Sequence, residues 1–336
     1  MLKISRNSLI LPLVLICAFV SPEIKAQIKT DEDVIKVDTN LVTIPIIVSD
    51  RQNRYISDLR AENFTIFQDG QKQNIEYFAA EDSPINVALL LDTSRSTEQV
   101  LDKIKKAAEE FIKQLKPNDR CLIISFDWQV NVLSEFTSDR EKLKKVIKKT
   151  EIGEQFGTVM QDAVYQAVNK NFAGVKGRKA VIMLTDGKDF GSRIGKSELI
   201  KKLEESDTLV YSIFYDTGAI PQGMMRQRFP FPNRRGGMGR RNRNPDIMRK
   251  RNERANEEAI AFLQKLADLT AGRFYQKDVT DLTAAFEAIS DELRKQYLVG
   301  FYPEKVEAGK IYQIKVKVDR NDAVVRSKNA FRVKTP

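Results

Sequence analysis

The sequence predicts an α/β chain: a doubly wound, mostly parallel sheet, with a β-sandwich-like unit built from both flanking segments. Three observations carry this. Two continuous apolar runs, Val87-Ala88-Leu89-Leu90-Leu91 and Ala180-Val181-Ile182-Met183-Leu184, read as strands buried on both faces. Strand and helix patterns alternate between residues 85 and 296, which calls for a parallel sheet with helices on both sides. Period-2 patterns occupy both ends of the chain, where neither set alone makes a stable sheet.

Taken in order, residues 38–50 alternate as a strand, and 64–67 and 74–78 flank Asp69-Gly70, a hairpin signal. Residues 35–82 therefore form an N-terminal β segment. Residues 99–115 place Val100, Ile104, Ala107, Ala108, Phe111, Ile112 and Leu115 on one helical face. Strands 120–126 and 129–134 follow, then helices 139–149 and 159–172, strand 179–185 and helix 196–205. Strand 208–215, helix 255–271, a short strand at 273–276 and helix 280–295 complete the core. The last segment, 297–336, supplies strands near 296–302, 311–318 and 324–333, expected to pair with 35–82. The apolar helix stripes read as core, and the lysines at 142, 144, 145, 148 and 149 as a solvated face.

The first buried strand runs into Asp92-Thr93-Ser94-Arg95-Ser96. One carboxylate and two hydroxyls thus converge on a tight turn before a helix, a set that suits a hard cation such as Mg²⁺. Gly157-Thr158 opens the helical pattern from 159, and Thr185-Asp186-Gly187 ends the second buried strand. The simpler alternative is that Asp92 and the serines only cap the helix after residue 97; that explains neither Thr158 nor Asp186. In open sheets of this kind ligands bind at the carboxyl ends of the strands, where Asp92 and Asp186 both fall.

This set resembles the metal-ion-dependent adhesion site of von Willebrand factor A (VWA) domains, which are Rossmann-like, and the resemblance covers residues 85–296. It implies that Ser94, Ser96 and Thr158 are direct metal ligands and that Asp92 and Asp186 act mostly through water. The flanks also resemble one subgroup, the VWA-related proteins named for acidobacteria, which carry a β segment before and after the VWA core. Three neutral hydroxyls compensate little of the charge of Mg²⁺ (Mn²⁺ and Ca²⁺ being the alternatives). The ion stays electrophilic and can take a carboxylate from outside, which implies a protein ligand presenting Asp or Glu.

Composition narrows the chemistry. The 336 residues contain no histidine, which removes the commonest general base and zinc ligand. No phosphate-cradling glycine motif occurs, so no nucleotide is expected. A metal-dependent phosphatase of the haloacid dehalogenase type needs a second Asp two residues after the first, and that position is Ser94. The chain is therefore expected not to be an enzyme. Lys3 and Arg6 followed by the apolar stretch 9–20 read as a signal peptide over 1–26, which predicts a periplasmic or extracellular protein. Cys17 follows Ile16, too bulky for the usual lipoprotein pattern. Cleavage leaves Cys121 alone, a small core residue that has no partner for a disulfide.

The segment 219–256 breaks the pattern. It holds ten Arg and one Lys against one Asp and one Glu, and so accounts for nearly all of the net charge of +10. Its Gly, Pro and Arg content predicts a disordered insertion leaving the metal-bearing edge of the sheet. The expected function is metal-dependent capture of an acidic residue of a protein partner. The alternatives are an acidic polymer or membrane surface bound through the loop 222–254, or a structural module of an envelope assembly. Chelator sensitivity separates the first from the second, whose mark is a steep salt dependence.

Overall fold

The computed structural model describes residues 41–80, 83–217 and 245–334, all within the compact unit Thr39–Pro336. The expected signal peptide, residues 35–40 of the N-terminal segment, and 219–244 of the arginine-rich insertion lie outside the described residues.

The N-terminal segment forms β1 (Val42–Ser49), β2 (Phe64–Gln68), β3 (Gln71–Gln73) and β4 (Tyr77–Ala79). The core follows as β5 (Ile85–Asp92), α1 (Leu101–Gln114), β6 (Arg120–Phe126), β7 (Val130–Val132), α2 (Arg140–Lys148), α3 (Met160–Gln166), β8 (Arg178–Thr185), α4 (Lys196–Glu204), β9 (Leu209–Phe214), α5 (Pro245–Thr270), β10 (Phe274–Gln276) and α6 (Leu282–Arg294). The C-terminal segment adds β11 (Tyr297–Phe301), β12 (Ile311–Val318), β13 (Val324–Ser327) and β14 (Ala330–Arg332).

The central sheet has the order β10-β9-β8-β5-β6-β7, parallel except for β7, which hairpins onto β6. Successive side chains of a strand point to opposite faces, and β5 shows this directly. Val87, Leu89 and Leu91 pack with α1, α2 and α6, whereas Ala88 and Leu90 pack with α3 and the helices beside it. Both faces are covered, which is why the strand reads as an unbroken apolar run.

The flanking segments interleave in two antiparallel four-stranded sheets, β13-β1-β11-β4 and β14-β12-β2-β3. Val42 pairs with Phe301 and Ile46 with Tyr297, while Ile66 pairs with Val316. Ile44, Ile46, Phe64, Ile66, Tyr297, Val299, Phe301 and Ile314 fill one shared apolar core.

Several elements differ from the sequence reading. The hairpin at Asp69-Gly70 is present, with both residues at positive φ (47° and 85°), so the return strand begins at Gln71. Of the strand expected over 74–78 only Tyr77 and Phe78 lie in a strand, since β3 ends at Gln73 and β4 begins at Tyr77. β3 stays with β2, and the chain then crosses to pair β4 with β11 of the other sheet. The expected strand 324–333 is two strands, one in each sheet. Helix α5 starts at Pro245 rather than at 255, so the arginine-rich insertion, read as disordered through 256, is helical from 245. Proline suits a first helical position, and neither Gly nor a second Pro interrupts 246–270. The helix expected over 159–172 ends with a π-type turn over 167–171.

Candidate metal centre

Asp92 closes β5 and Asp186 directly follows β8. These strands are neighbours in register, Leu91 beside Leu184, so the two carboxylates leave the same edge of the sheet side by side. Both are buried, at 0% and 1% exposure.

The turn after β5 directs the Ser94 hydroxyl at Asp92. The Ser94 hydroxyl donates to Asp92 Oδ1 at 2.5 Å, and the Ser94 N–H donates to the same oxygen at 3.0 Å. Ser94 Oγ lies 3.0 Å from Ser96 Oγ. Ser94 occupies the cap position of the 3₁₀ turn Arg95–Val100, yet its side chain makes no capping hydrogen bond. The helix-cap explanation of this serine therefore fails. Thr97 fixes the turn instead, its hydroxyl donating to the Asp92 and Ser94 carbonyls at 3.1 and 2.8 Å.

The second strand contributes in the same way. Thr185 Oγ1 donates to Asp92 Oδ2 at 2.8 Å, and the Gly187 N–H donates to Thr185 Oγ1 at 2.9 Å. Gly187 has φ +74°, and a Cβ there would lie 2.8 Å from that of Ala259, so only glycine fits the turn. Asp186 is held by Lys188 Nζ at 3.0 Å and by the Thr217 hydroxyl at 3.2 Å.

Thr158 arrives from a third loop. Its N–H donates to the Phe190 carbonyl at 3.1 Å and its carbonyl accepts from the Phe190 N–H at 2.7 Å. Asp127 ties this loop to the motif: its carboxylate accepts from Thr93 Oγ1 at 3.0 Å, and its carbonyl accepts from the Val159 N–H at 2.8 Å. The structure thus joins Asp92, Ser94 and Ser96 in one hydrogen-bonded chain and sets Asp186 beside them. The Thr158 hydroxyl makes no hydrogen bond to the other four among the described residues. Asp127 and Thr97, which help hold the site together, have no recognisable spacing and escape a sequence reading, as does Lys188; Thr185 is legible as the start of Thr185-Asp186-Gly187, but its bond to Asp92 is not.

Burial, and then the neighbouring Asp186 charge, push the Asp92 carboxyl up to about 7. The fully buried Tyr215 hydroxyl, raised well above its usual range by burial and then by Asp92 and Asp186, finds no hydrogen-bond partner among the described residues. Two carboxylates that oppose each other and an unsatisfied hydroxyl are what a bound cation and its water shell would relieve. No three His, Cys, Asp or Glu side chains group as a metal site among the described residues, so a cation here depends on the hydroxyls. Asp92, Ser94, Ser96, Thr158 and Asp186 offer oxygen alone and could hold a hard divalent ion.

Comparison with known proteins agrees with this architecture. Residues 86–226 match the von Willebrand factor type A domain. No curated protein matches the chain. Among solved structures it is similar to an aerotolerance-related membrane protein from Bacteroides fragilis, at 22% identity over 62% of this chain and 98% of that one, with a TM-score of 0.45. It is similar to BatB from Bacteroides thetaiotaomicron, at 22% identity over 62% and 97%, with a TM-score of 0.43. It is also similar to proximal thread matrix protein 1 from the mussel byssus with a zinc-occupied MIDAS motif, at 13% identity over 67% and 48%, with a TM-score of 0.47. No helix among the described residues is long and apolar enough to cross a membrane.

Proposed function

We propose that this chain is an exported binding module that captures an acidic residue of a protein partner through Mg²⁺ held by Asp92, Ser94, Ser96, Thr158 and Asp186. The observation that supports it most is the orientation of Ser94 and Ser96. The Ser94 hydroxyl makes no capping bond and donates to Asp92 at the carboxyl edge of the sheet, and the Ser96 hydroxyl lies 3.0 Å from that of Ser94. When bound, the ion supplies an electrophilic position for an incoming carboxylate. The chain's own residues fix the direction of approach, and burial of Asp92 and Asp186 keeps bulk water from screening the contact. We read the module as acting by binding, the chain having no histidine to serve as a general base. Export rests on the signal-like N-terminus.

The test is capture of envelope proteins by wild type and by Ser96→Ala, each in Mg²⁺ and in EDTA. The proposal expects capture that EDTA and the substitution both abolish. Capture indifferent to both would overturn it, and capture that collapses only with rising salt would favour the arginine-rich loop as the binding element.

A further inference from the structure

The two most exposed large apolar side chains among the described residues are Phe190 at 65% and Phe156 at 59%, and Trp128 is 40% exposed. Exposed aromatics gathered in one place mark recognition surfaces. These three come from different loops, and each is tied to the candidate metal centre. Phe190 is locked to Thr158 by the reciprocal backbone pair described above. Phe156 lies two residues before Thr158, and its ring stacks under the Arg95 guanidinium at 4.4 Å. Arg95 stands between Ser94 and Ser96 and also donates to the Glu154 carbonyl. Trp128 abuts Gly157, where φ is +149° and a Cβ would come within 3.0 Å of the Trp128 Cα. Glycine is therefore what lets the Thr158 loop lie against the tryptophan. Beside Trp128 opens a cleft of about 460 Å³, lined also by Leu133, Val146, Lys149, Glu151 and Gly153, of a size that accepts side chains of a ligand.

We propose that Trp128, Phe156 and Phe190 form an apolar rim that selects protein segments in which the captured acidic residue is flanked by apolar side chains. The inference rests on the metal-dependent reading of the same site and narrows its partner class. The exposed Arg95 guanidinium adds positive charge at that edge, which complements an acidic centre. The rings on either side of Thr158 can cover apolar neighbours of that centre but offer nothing to a polar flank. Covering one apolar side chain corresponds to roughly a tenfold gain in affinity.

Trp128 is the only tryptophan in the chain, so its fluorescence reports on the rim without a label. Three short peptides serve as probes, with centres Leu-Asp-Phe, Ser-Asp-Ser and Leu-Asn-Phe, titrated in Mg²⁺ and in EDTA. The expected result is a Trp128 signal for Leu-Asp-Phe at about tenfold lower concentration than for Ser-Asp-Ser, lost in EDTA and absent for Leu-Asn-Phe. A Phe156→Ser, Phe190→Ser double variant, altered only at exposed positions, should lose that preference. Its Mg²⁺-dependent thermal stability should stay unchanged. Equal binding of the two Asp peptides, or binding of neither up to about 5 mM, overturns the rim. The metal reading survives either result if Mg²⁺ still raises the melting temperature. Leu-Asn-Phe binding equally in EDTA overturns the rim as a partner of the metal centre.

Discussion

Glu292 on α6 is the sharpest test of how the flanking β unit and the central α/β core act as one structure. Its carboxylate is 0% exposed and meets four partners. Tyr211 on β9 and Arg273 from the core donate at 2.7 and 2.6 Å, and Tyr55 from the N-terminal segment donates at 2.9 Å. Arg326 on β13 closes the set as an ion pair. Glu292→Gln keeps the shape and removes the charge, and it turns an amide donor toward groups that are themselves donors. Breaking a buried pair by changing one partner costs about 3–5 kcal/mol. The Arg273 and Arg326 side chains are 39% and 27% exposed, so water screens part of the loss and the low end, about 3 kcal/mol, applies. At about 2–4 °C per kcal/mol for a domain of this size, the melting temperature should fall by about 6–12 °C in calorimetry. Exposed Glu304→Gln should move it by less than about 1 °C. If Glu292→Gln melts within about 1 °C of wild type, the junction is not the stabilising element argued here.

Three further outcomes are expected. Lys188→Met frees Asp186 of its ammonium neighbour and should raise Mg²⁺ affinity about tenfold by calorimetry, the worth of roughly 1.4 kcal/mol; an unchanged Kd would show that the pair does not compete with the ion. Lys328 is buried against the Glu204 and Ser206 carbonyls, and burial lowers its pKa from 10.5 to about 8 against the opposing pull of Asp207 and Glu204. The unfolded chain therefore binds the extra proton between those values. Wild type should gain up to about 3 kcal/mol relative to Lys328→Met as pH rises from about 8 to about 10.5, and a flat difference in urea melts across that range contradicts this. Deleting 297–336 removes β11, β12 and their neighbours, which pair with β1 and β2, and should leave an aggregating chain; a soluble truncation with protected amides over 42–79 would show that the N-terminal strands stand alone.

What the sequence made legible was governed by period and by chain-local chemistry. β5 and β8 are buried on both faces and so spell themselves out as unbroken apolar runs. The turn after β5 could be read because its carboxylate and hydroxyls lie within five residues. The shared sandwich was legible because the strands at each end lacked a partner. The remainder is set by contacts remote in sequence. Nothing near Asp127 says that it will tie Thr93 to Val159, and nothing near Thr185 says that it will hold Asp92. The crossing between β3 and β4 depends on β11, more than 200 residues away. The first turns of α5 were hidden because their arginines read as loop charge, although Pro245 is a helix-start signal. The exposed rings of Phe156 and Phe190 look like ordinary core residues until the fold leaves them uncovered.

The proposed function requires that Asp92 and its neighbours hold a divalent ion. The most direct measurement is the melting temperature of wild type and of Asp92→Ala in Mg²⁺ and in EDTA. Mass action at a hundredfold excess over Kd is worth about 2.7 kcal/mol, so Mg²⁺ should raise wild type by about 5–10 °C. Asp92→Ala should fold and show no such rise. Identical wild-type curves in Mg²⁺ and EDTA, or an equal rise in Asp92→Ala, would contradict the site.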